Sequence, residues 1–313
     1  MSAAGGDRGI GGRLAAILSR GAFAVTGEIV PPRSADGSEV TDHARGLVGY
    51  IDAANITDNP AASVHMSAVA ATAFVAQAGV EPTLQLTVRD RNRLAITSDL
   101  LGAWALGARN LLCLSGDPIG IGDHPDAPAV NDLDVLEVVR LARQLGETGR
   151  TLGGSEIKDP PRYLVGVADM PLAEPYDPAR LEAKLDAGAE LVWTQIAYDV
   201  EALVAWVEMI RARGILERAK VLVGVAPLFT AKGARFMHEN LPGVSVPTGI
   251  IEALEDAGDD AGAVGLELTI DIVKRISKIE GLGGVHLMGM GHDDVIRAVV
   301  EGTGSFPRPA GVR

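Results

Sequence analysis

The segment 23–30, FAVTGEIV, is an apolar run of strand length that leads directly into Pro31 and Pro32. A doubly wound dinucleotide-binding sheet would instead follow its first strand with a GxGxxG turn that opens a helix. No such motif follows this segment, and a chain of 313 residues has an ordinary length for one (β/α)8 barrel. The segment therefore favours a closed barrel, with an open Rossmann-type sheet as the alternative.

Seven further apolar runs follow along the chain, and each is short enough to be one strand. Strands that are covered on both faces are apolar nearly throughout, whereas helices show apolar residues every three to four positions. Segments with this helical spacing separate the apolar runs. The alternation of strands and helices predicts an α/β fold, a single (β/α)8 TIM barrel with extra C-terminal helices. The later strands are predicted at 51–56, 83–88, 110–114, 163–168, 191–197, 221–226 and 284–290, and helices at 61–78, 91–106, 133–145, 178–187, 200–211 and 266–276.

The composition excludes several classes of partner. The chain has 28 basic and 41 acidic side chains, and its formal net charge of −13 argues against nucleic acids and anionic membranes. No apolar stretch approaches the ~18 residues of a membrane span. The single cysteine, Cys113, lies in an apolar run, and the six histidines lack metal-ligand spacing. We therefore expect a soluble, cytoplasmic protein with no disulfide and no bound metal.

The N-terminal residues differ from the rest of the chain. Residues 1–12, MSAAGGDRGIGG, carry no apolar periodicity, so we expect a disordered tail there. The catalytic barrel domain is predicted to occupy residues 13–313.

Polar residues stand at the carboxyl ends of at least five predicted strands. Enzymes with this fold build their active sites there and in the loops that follow. We therefore expect these side chains to converge on one site. They include Glu28, Thr57, Asp58, Gln85, Ser115, Gly116, Asp117, Gln195 and His292.

Glu28 interrupts an apolar strand just before two prolines, which prevent a helix from starting there. A carboxyl group in such a place is partly desolvated, and its pKa rises toward the value that suits a general acid near neutral pH. The alternative is a structural glutamate that binds a neighbouring strand's backbone or pairs with Arg89. The residues alone support both interpretations about equally.

The other candidates also have structural interpretations. Asp117 lies in a glycine-rich turn, where Asp commonly binds its own backbone, and Asp58 could belong to a turn before a helix. Gln195 is a neutral amide in an apolar strand, so it is either a satisfied core residue or a donor and acceptor for the edge of a heterocycle. His292 is more typical of a helix cap, and Lys184 of a solvated helix.

Six motifs, in order along the chain, resemble those of the methylenetetrahydrofolate reductase family of flavin-dependent (β/α)8 barrels. Each motif is weak singly, but the ordered set is specific. Two stretches, TDNPAASVHMS (57–67) and TVRDRNRLAITSDLLGAWALG (87–107), are similar to the acetogen-like branch, whose members can work with partner subunits. The six motifs are GEIVPPR (27–33), ANITDNP (54–60), LCLSGDP (112–118), AKLDAGAELVWTQ (183–195), GVAPL (224–228) and GVHLMGMG (284–291).

The resemblance implies reduction of 5,10-methylenetetrahydrofolate to 5-methyltetrahydrofolate, in one-carbon metabolism and methionine biosynthesis. It implies a bound FAD, or FMN, with NAD(P)H as electron donor. Glu28 would be the general acid that protonates N10, and Asp117 a second catalytic residue near flavin and folate. The folate would contact Gln195, Asp117 and His292. The flavin would contact Thr57, Asp58, Gln85, Ser115, Gly116, Asp117, Asp177 and Lys184, the last two at its ribityl and phosphate portion.

The chain also departs from the better known members. Ser115 stands where they have arginine and Gln85 where they have histidine, which removes contacts on the flavin side. His292 replaces an arginine that contacts folate, and Gly233 and Met237 replace a glutamine and a phenylalanine near the nicotinamide. Two alternatives stay open: a flavin-independent reductase that uses NADH or a deazaflavin directly, and a non-redox folate-binding or methyl-transfer subunit. A homo-oligomer or a partner redox subunit is compatible with each.

Overall fold

The computed structural model describes residues 11–309 and contains eight parallel strands in one closed barrel. The strands are β1 (Ala24–Ile29), β2 (Ala53–Ile56), β3 (Pro82–Thr87), β4 (Asn110–Leu114), β5 (Leu164–Asp169), β6 (Leu191–Ile196), β7 (Lys220–Val225) and β8 (Gly284–Leu287). They pair in chain order, and β8 closes on β1 with His286 opposite Thr26. The predicted TIM barrel is confirmed. The first ten residues of the predicted tail lie outside the described residues.

Helices connect the strands and surround the barrel. They are α1 (Arg13–Ser19), α2 (Ser38–Gly46), α3 (Ala68–Ala78), α4 (Arg93–Ala105), α5 (Val135–Thr148), α6 (Pro178–Asp186), α7 (Val200–Ala212), α8 (Ile215–Arg218), α9 (Ala231–Asn240), α10 (Thr248–Asp256), α11 (Ala261–Ile276) and α12 (Asp293–Gly302). The side chains of Asn92, Asp134 and Asp199 accept backbone N–H bonds at the starts of α4, α5 and α7. These side chains bind backbone N–H groups of the first helical turn and so fix the residue at which each helix begins.

Two apolar cores follow from the alternation of side chains along the strands. Outward-facing strand residues pack against the helices and form the larger core. Inward-facing residues fill the barrel at its amino-terminal end, where α1 closes it. This inner core contains Leu14, Ile17 and Leu18 of α1 together with Ala24, Ala53, Leu112, Leu164, Leu191, Trp193 and Leu222.

The helix predicted at 61–78 begins seven residues later, at Ala68. Ala61 and Ala62 have φ angles of 51° and 53°, in the left-handed region. Two carboxylates explain this difference, because Asp117 accepts the backbone N–H of Ala61 (2.8 Å) and Asp123 accepts that of Val64 (3.2 Å). The β2–α3 loop is therefore bound to the loop after β4 and does not continue as a helix.

No helix within residues 11–309 is both long enough and apolar enough to cross a membrane.

Candidate active site

A cavity of about 850 Å³ opens at the carboxyl ends of the strands. Its volume is typical of a site for an organic ligand. Most of the residues predicted from the sequence line it: Glu28, Thr57, Asp58, Gln85, Ser115, Gly116, Asp117, Asp177, Lys184 and Gln195. His292 does not line this cavity. It lies exposed at the start of α12, with its ring centroid 4.9 Å from that of Phe229.

Glu28 lies near the end of β1 and faces the cavity, next to Asn55 of β2 in the strand register. Its side chain is partly accessible from the cavity but surrounded by protein, and this burial raises its pKa to about 7. Arg89 does not pair with it, because its guanidinium binds the carboxylate of Asp90 at 2.7 Å. Glu28 can therefore hold a proton near neutral pH and face a ligand.

Asp58 is engaged by protein groups on both carboxylate oxygens. Arg91 donates to Oδ2 at 2.7 Å and to Oδ1 at 2.9 Å, and Thr87 donates its backbone N–H and its hydroxyl to Oδ2. Arg91 also binds Asp99 of α4 at 2.8 Å. This buried network ties the end of β2 to the end of β3, and it indicates a structural role for Asp58 at the rim of the cavity.

Asp117 is an exposed residue at the rim of the cavity. Its Oδ2 accepts the N–H of Ala61, and its carbonyl oxygen accepts a bond from Arg89 at 3.0 Å. Gly116 before it has a φ of +82°, and a Cβ there would lie 3.1 Å from Cβ of Thr87. The chain turns sharply at this glycine, which brings the carboxylate of Asp117 to the mouth.

A second group of ionisable side chains lines the cavity at the end of β5 and along α6. Burial raises the pKa of Asp169, which accepts a hydrogen bond from the hydroxyl of Tyr176 at 2.7 Å. Lys184 donates to the carbonyl of Ala168 at 2.6 Å and lies 3.9 Å from Asp169, and burial lowers its pKa. Asp177 caps the first turn of α6. An ammonium group thus faces the cavity, although it already has protein partners.

The register between β6 and β7 shifts at Trp193–Ile196, and three consecutive residues of this segment line the cavity. Bulges of this kind commonly redirect side chains at barrel rims. Gln195 uses its Oε1 to accept the N–H of Ile196 at 2.9 Å, and its Nε2 lies 3.4 Å from the carbonyl of Pro242. Its amide therefore holds a defined orientation beside the cavity.

Several further polar residues line the cavity and were not predicted from the sequence. Asn55 and His286 point inward from β2 and β8, and Trp193 lies on the floor. Burial lowers the pKa of His286 to about 3, and its Nδ1 lies 2.9 Å from the hydroxyl of Thr26, so the ring is neutral. The available signal was a polar residue inside a predicted strand, which ANITDNP and GVHLMGMG both contain.

Three of the lining residues carry buried polar atoms without a hydrogen-bond partner among residues 11–309: both amide atoms of Asn55, the hydroxyl of Thr57 and the indole nitrogen of Trp193. Buried polar groups in proteins are nearly always hydrogen-bonded. Their presence at the cavity surface indicates that a ligand or water completes their bonding.

Gly166 of β5 makes room for the floor of the cavity. A Cβ at this position would lie 2.2 Å from the ring of Trp193. We expect Gly166→Ala to lower the free energy of unfolding by about 1–3 kcal/mol, the usual cost of overpacking, and to change the tryptophan fluorescence. Gly262→Ala in α11 is the control, because nothing lies within 4 Å of its added Cβ. Equal stability of the two variants in urea unfolding would contradict this packing.

A family model described as methylenetetrahydrofolate reductase matches residues 13–304. The chain belongs to the methylenetetrahydrofolate reductase family. The resemblance inferred from the six motifs is thus confirmed at the level of the family.

Relatives in the methylenetetrahydrofolate reductase family include proteins from yeast, bacteria and plants. "Methylenetetrahydrofolate reductase 1" of Schizosaccharomyces pombe is 27% identical over 236 residues, which are 72% of this chain and 36% of that protein. The "5,10-methylenetetrahydrofolate reductase" of Pectobacterium carotovorum is 24% identical, and the match covers 73% of this chain and 72% of the relative. "Methylenetetrahydrofolate reductase (NADH) 1" of Arabidopsis thaliana is 25% identical over 90% of this chain and 48% of its own. The match spans about a third of the length of the fission yeast protein and of a nematode relative.

Solved structures with the same fold are more distant in sequence. A Clostridium thermocellum protein described as binding two copies of 5-methyl-5,6,7,8-tetrahydrofolic acid has a TM-score of 0.63 at 14% identity, and the match covers 94% of this chain and 98% of that one. An F420-dependent secondary alcohol dehydrogenase has a TM-score of 0.55 at 13% identity, over 90% and 99% of the two chains. At these identities the likeness shows the barrel fold alone.

Proposed function

We propose that this protein reduces 5,10-methylenetetrahydrofolate to 5-methyltetrahydrofolate, with hydride from a bound flavin that NAD(P)H or a partner protein reduces in turn. The observation that carries the proposal is Glu28, a carboxyl group with a pKa of about 7 that faces a cavity of organic-ligand size. Membership in the reductase family and the bacterial relative of similar length support the choice of substrate.

Glu28 would act as the general acid. Its burial keeps a proton on the carboxyl group at neutral pH, and the cavity gives that proton access to a nitrogen of the bound folate. Protonation of N10 opens the methylene bridge to a cationic iminium carbon, which accepts hydride. The overall reaction consumes one hydride and one proton for each folate reduced.

Asp117 and Gln195 would bind and orient the folate. Asp117 places a carboxylate at the rim, where a negative charge stabilises the positive charge that develops on the folate. Gln195 presents an amide whose orientation is already set by two backbone groups. His292 lies outside the cavity, at the start of α12. It would contact the folate only if part of the bound molecule extended out of the cavity and over this helix end.

The residues that face the cavity fit a flavin in two respects. The hydroxyl of Thr57, which has no partner in the part of the chain that the structure describes, offers a polar group to the edge of a ring system, as do Gln85 and Ser115. Asp177 and Lys184 supply a carboxylate and an ammonium group for a ribityl chain and a phosphate. A bound flavin would supply the hydride. Gly116 leaves space beside Thr87 and Arg89, and Asp58 holds the rim of the cavity in place through Arg91 and Thr87.

One observation favours the alternative in which NADH or a deazaflavin transfers hydride directly. Lys184 already donates to the Ala168 carbonyl and faces Asp169, so a flavin phosphate would have to compete with both groups for it. Ser115 also supplies no positive charge at the mouth. The substrate and the role of Glu28 are the same in both versions.

An absorbance spectrum of the purified protein, followed by anaerobic mixing with NADH or NADPH, distinguishes these versions. We expect a flavin spectrum that bleaches with a nicotinamide donor and recovers when 5,10-methylenetetrahydrofolate is added. Mass spectrometry of the released cofactor identifies FAD or FMN. Oxidation of 5-methyltetrahydrofolate with menadione as acceptor tests the chemistry without a partner protein.

Each outcome of this experiment has a distinct meaning. Colourless protein that reduces the folate with NADH would replace the flavin version by direct transfer. Protein that binds folate but catalyses neither direction would contradict the proposed reduction and support a folate-binding subunit.

A further inference from the structure

Four polar side chains form a row across neighbouring strands inside the barrel. The strand register pairs Glu28 with Asn55, Asn55 with Thr83, and Thr83 with Asn110. Paired residues of parallel strands point to the same face of the sheet. Glu28 and Asn55 line the cavity, and so does Gln85, two residues after Thr83. All four side chains therefore point into the barrel.

This row descends from the cavity toward the amino-terminal end of the barrel. Glu28 is the fifth residue of β1, Asn55 the third of β2, Thr83 the second of β3 and Asn110 the first of β4. Each step to the next strand thus moves one position or more away from the mouth. On the opposite side of the barrel, strands β5, β6 and β7 place apolar side chains in the interior near its amino-terminal end: Leu164, Leu191 and Leu222.

Four polar side-chain atoms of the row have no protein partner among the described residues. Within residues 11–309, Asn55 has no partner for either amide atom, Thr83 none for its hydroxyl, and Asn110 none for its Oδ1. All three residues are 0% exposed. Internal water commonly binds such groups, and adjacent strands lie about 4.8 Å apart, a span that one water molecule can bridge.

The lower end of the row reaches a partly exposed carboxylate. Asn110 donates its Nδ2 to Oε1 of Glu81 at 2.8 Å. Glu81 also accepts the backbone N–H groups of Arg13 and Leu14, at the start of α1. Because Glu81 is partly exposed, the row ends at solvent on the face opposite the mouth.

We propose that internal waters held by Asn55, Thr83 and Asn110 carry protons from the Glu81 face of the barrel to Glu28. The need for this path rests on the proposed function, in which Glu28 loses one proton to the folate nitrogen in each reduction. A proton from bulk water enters at Glu81 and passes along the waters to the Glu28 carboxylate. Glu28 thereby regains its proton while ligands still occupy the mouth of the cavity.

Thr83→Val tests the path, because it removes a hydroxyl from the middle of the row with almost no change of shape. Thr83 does not line the cavity, so ligand binding should not change. The protein is saturated with 5-methyltetrahydrofolate and transferred to D₂O. Time-resolved infrared spectroscopy then measures the rate at which the Glu28 carboxyl group exchanges its proton for deuterium. Glu28→Gln identifies the carboxyl band.

In this complex we expect Thr83→Val to slow the exchange about tenfold or more, the order of magnitude expected when a buried water loses a hydrogen bond. Thr83→Ser, which keeps the hydroxyl, should exchange at the wild-type rate. In ligand-free protein the mouth is open, and Thr83→Val should also match the wild type. The control is Thr269→Val, which removes a buried hydroxyl that binds Gly265 in α11, outside the barrel.

Two results would overturn the path. One is unchanged exchange of Thr83→Val in the folate complex, and the other is a crystal structure at about 1.2 Å resolution with no ordered water along the row. The crystal structure needs neither folate nor activity. Protein that fails to bind or reduce folate but contains the waters would therefore contradict the proposed function and leave the row supported.

Discussion

Glu28→Gln is expected to lower the rate of folate reduction by roughly 10²-fold or more, the usual loss when a general acid is removed. The amide keeps the shape and neutrality of the protonated carboxyl group, so folate binding and cofactor content should be retained. Because burial holds the pKa of Glu28 at about 7, the wild-type rate should fall as the pH rises through that value. Turnover, folate affinity and cofactor content of both proteins across this pH range check the prediction.

The same ionisation should affect the free energy of unfolding. The folded protein holds the proton of Glu28 more tightly than the unfolded chain, where the pKa is 4.5. Glu28 therefore stabilises the fold fully below that value, and the contribution is lost as the pH rises through about 7. Urea unfolding should show a decline of wild-type stability across this window that is smaller in Glu28→Gln.

Asp169→Asn is the matched control for Glu28→Gln. Burial raises the pKa of Asp169 as well, but its carboxylate accepts a bond from Tyr176 and faces Lys184. We expect this variant to retain the decline of the rate near pH 7. Unchanged turnover of Glu28→Gln together with loss of the decline in Asp169→Asn would assign the acid to Asp169.

Arg91→Met is expected to lower the free energy of unfolding by about 3–5 kcal/mol, the range seen when one partner of a buried ion pair is removed. The side chain of Asp58 is 1% exposed and that of Arg91 is 14% exposed. Without the guanidinium, Asp58 keeps its bonds from Thr87 but remains as a buried charge that has lost the cation bound to both of its oxygens. Urea unfolding at neutral pH measures the loss.

Two further variants separate the ion pair from a role in cofactor binding. The double variant, Asp58→Asn with Arg91→Met, removes both charges. We expect it to recover much of the stability that Arg91→Met alone loses. Asp58→Asn by itself should retain the cofactor content of the wild type, because both carboxylate oxygens already have protein donors. A loss of less than about 1 kcal/mol in Arg91→Met would contradict a buried pair.

The strands could be predicted because each carries its own signal. A barrel strand is covered on both faces, so segments such as 221–226 are apolar throughout and stand out from helical patterns. The site followed from the same argument, since the carboxyl ends of parallel strands share one rim. Glu28 of β1 and Gln195 of β6 are far apart in the sequence, and both line the cavity.

The start of α3 and the partner of Asp58 could not be predicted in this way. Both depend on contacts between loops, in which Asp117 and Arg91 bind groups more than thirty positions away. The place of His292 after β8 predicts a residue of the site, but the structure places it outside the cavity, at the start of α12. Whether the amide of Asn55 is hydrogen-bonded could not be predicted either, because this depends on the residues that the strand register places beside it.

The sequence by itself determined the barrel, the family and the set of strand ends that meet at the mouth, because apolar periodicity and short motifs are local properties of the chain. Only the tertiary structure decided which polar groups are satisfied. Within residues 11–309, Arg91 pairs with Asp58, whereas no such partner binds Glu28 or Asn55 at the cavity. That difference arises from strand register and burial, which set the distance between residues far apart in sequence and the solvent around each charge.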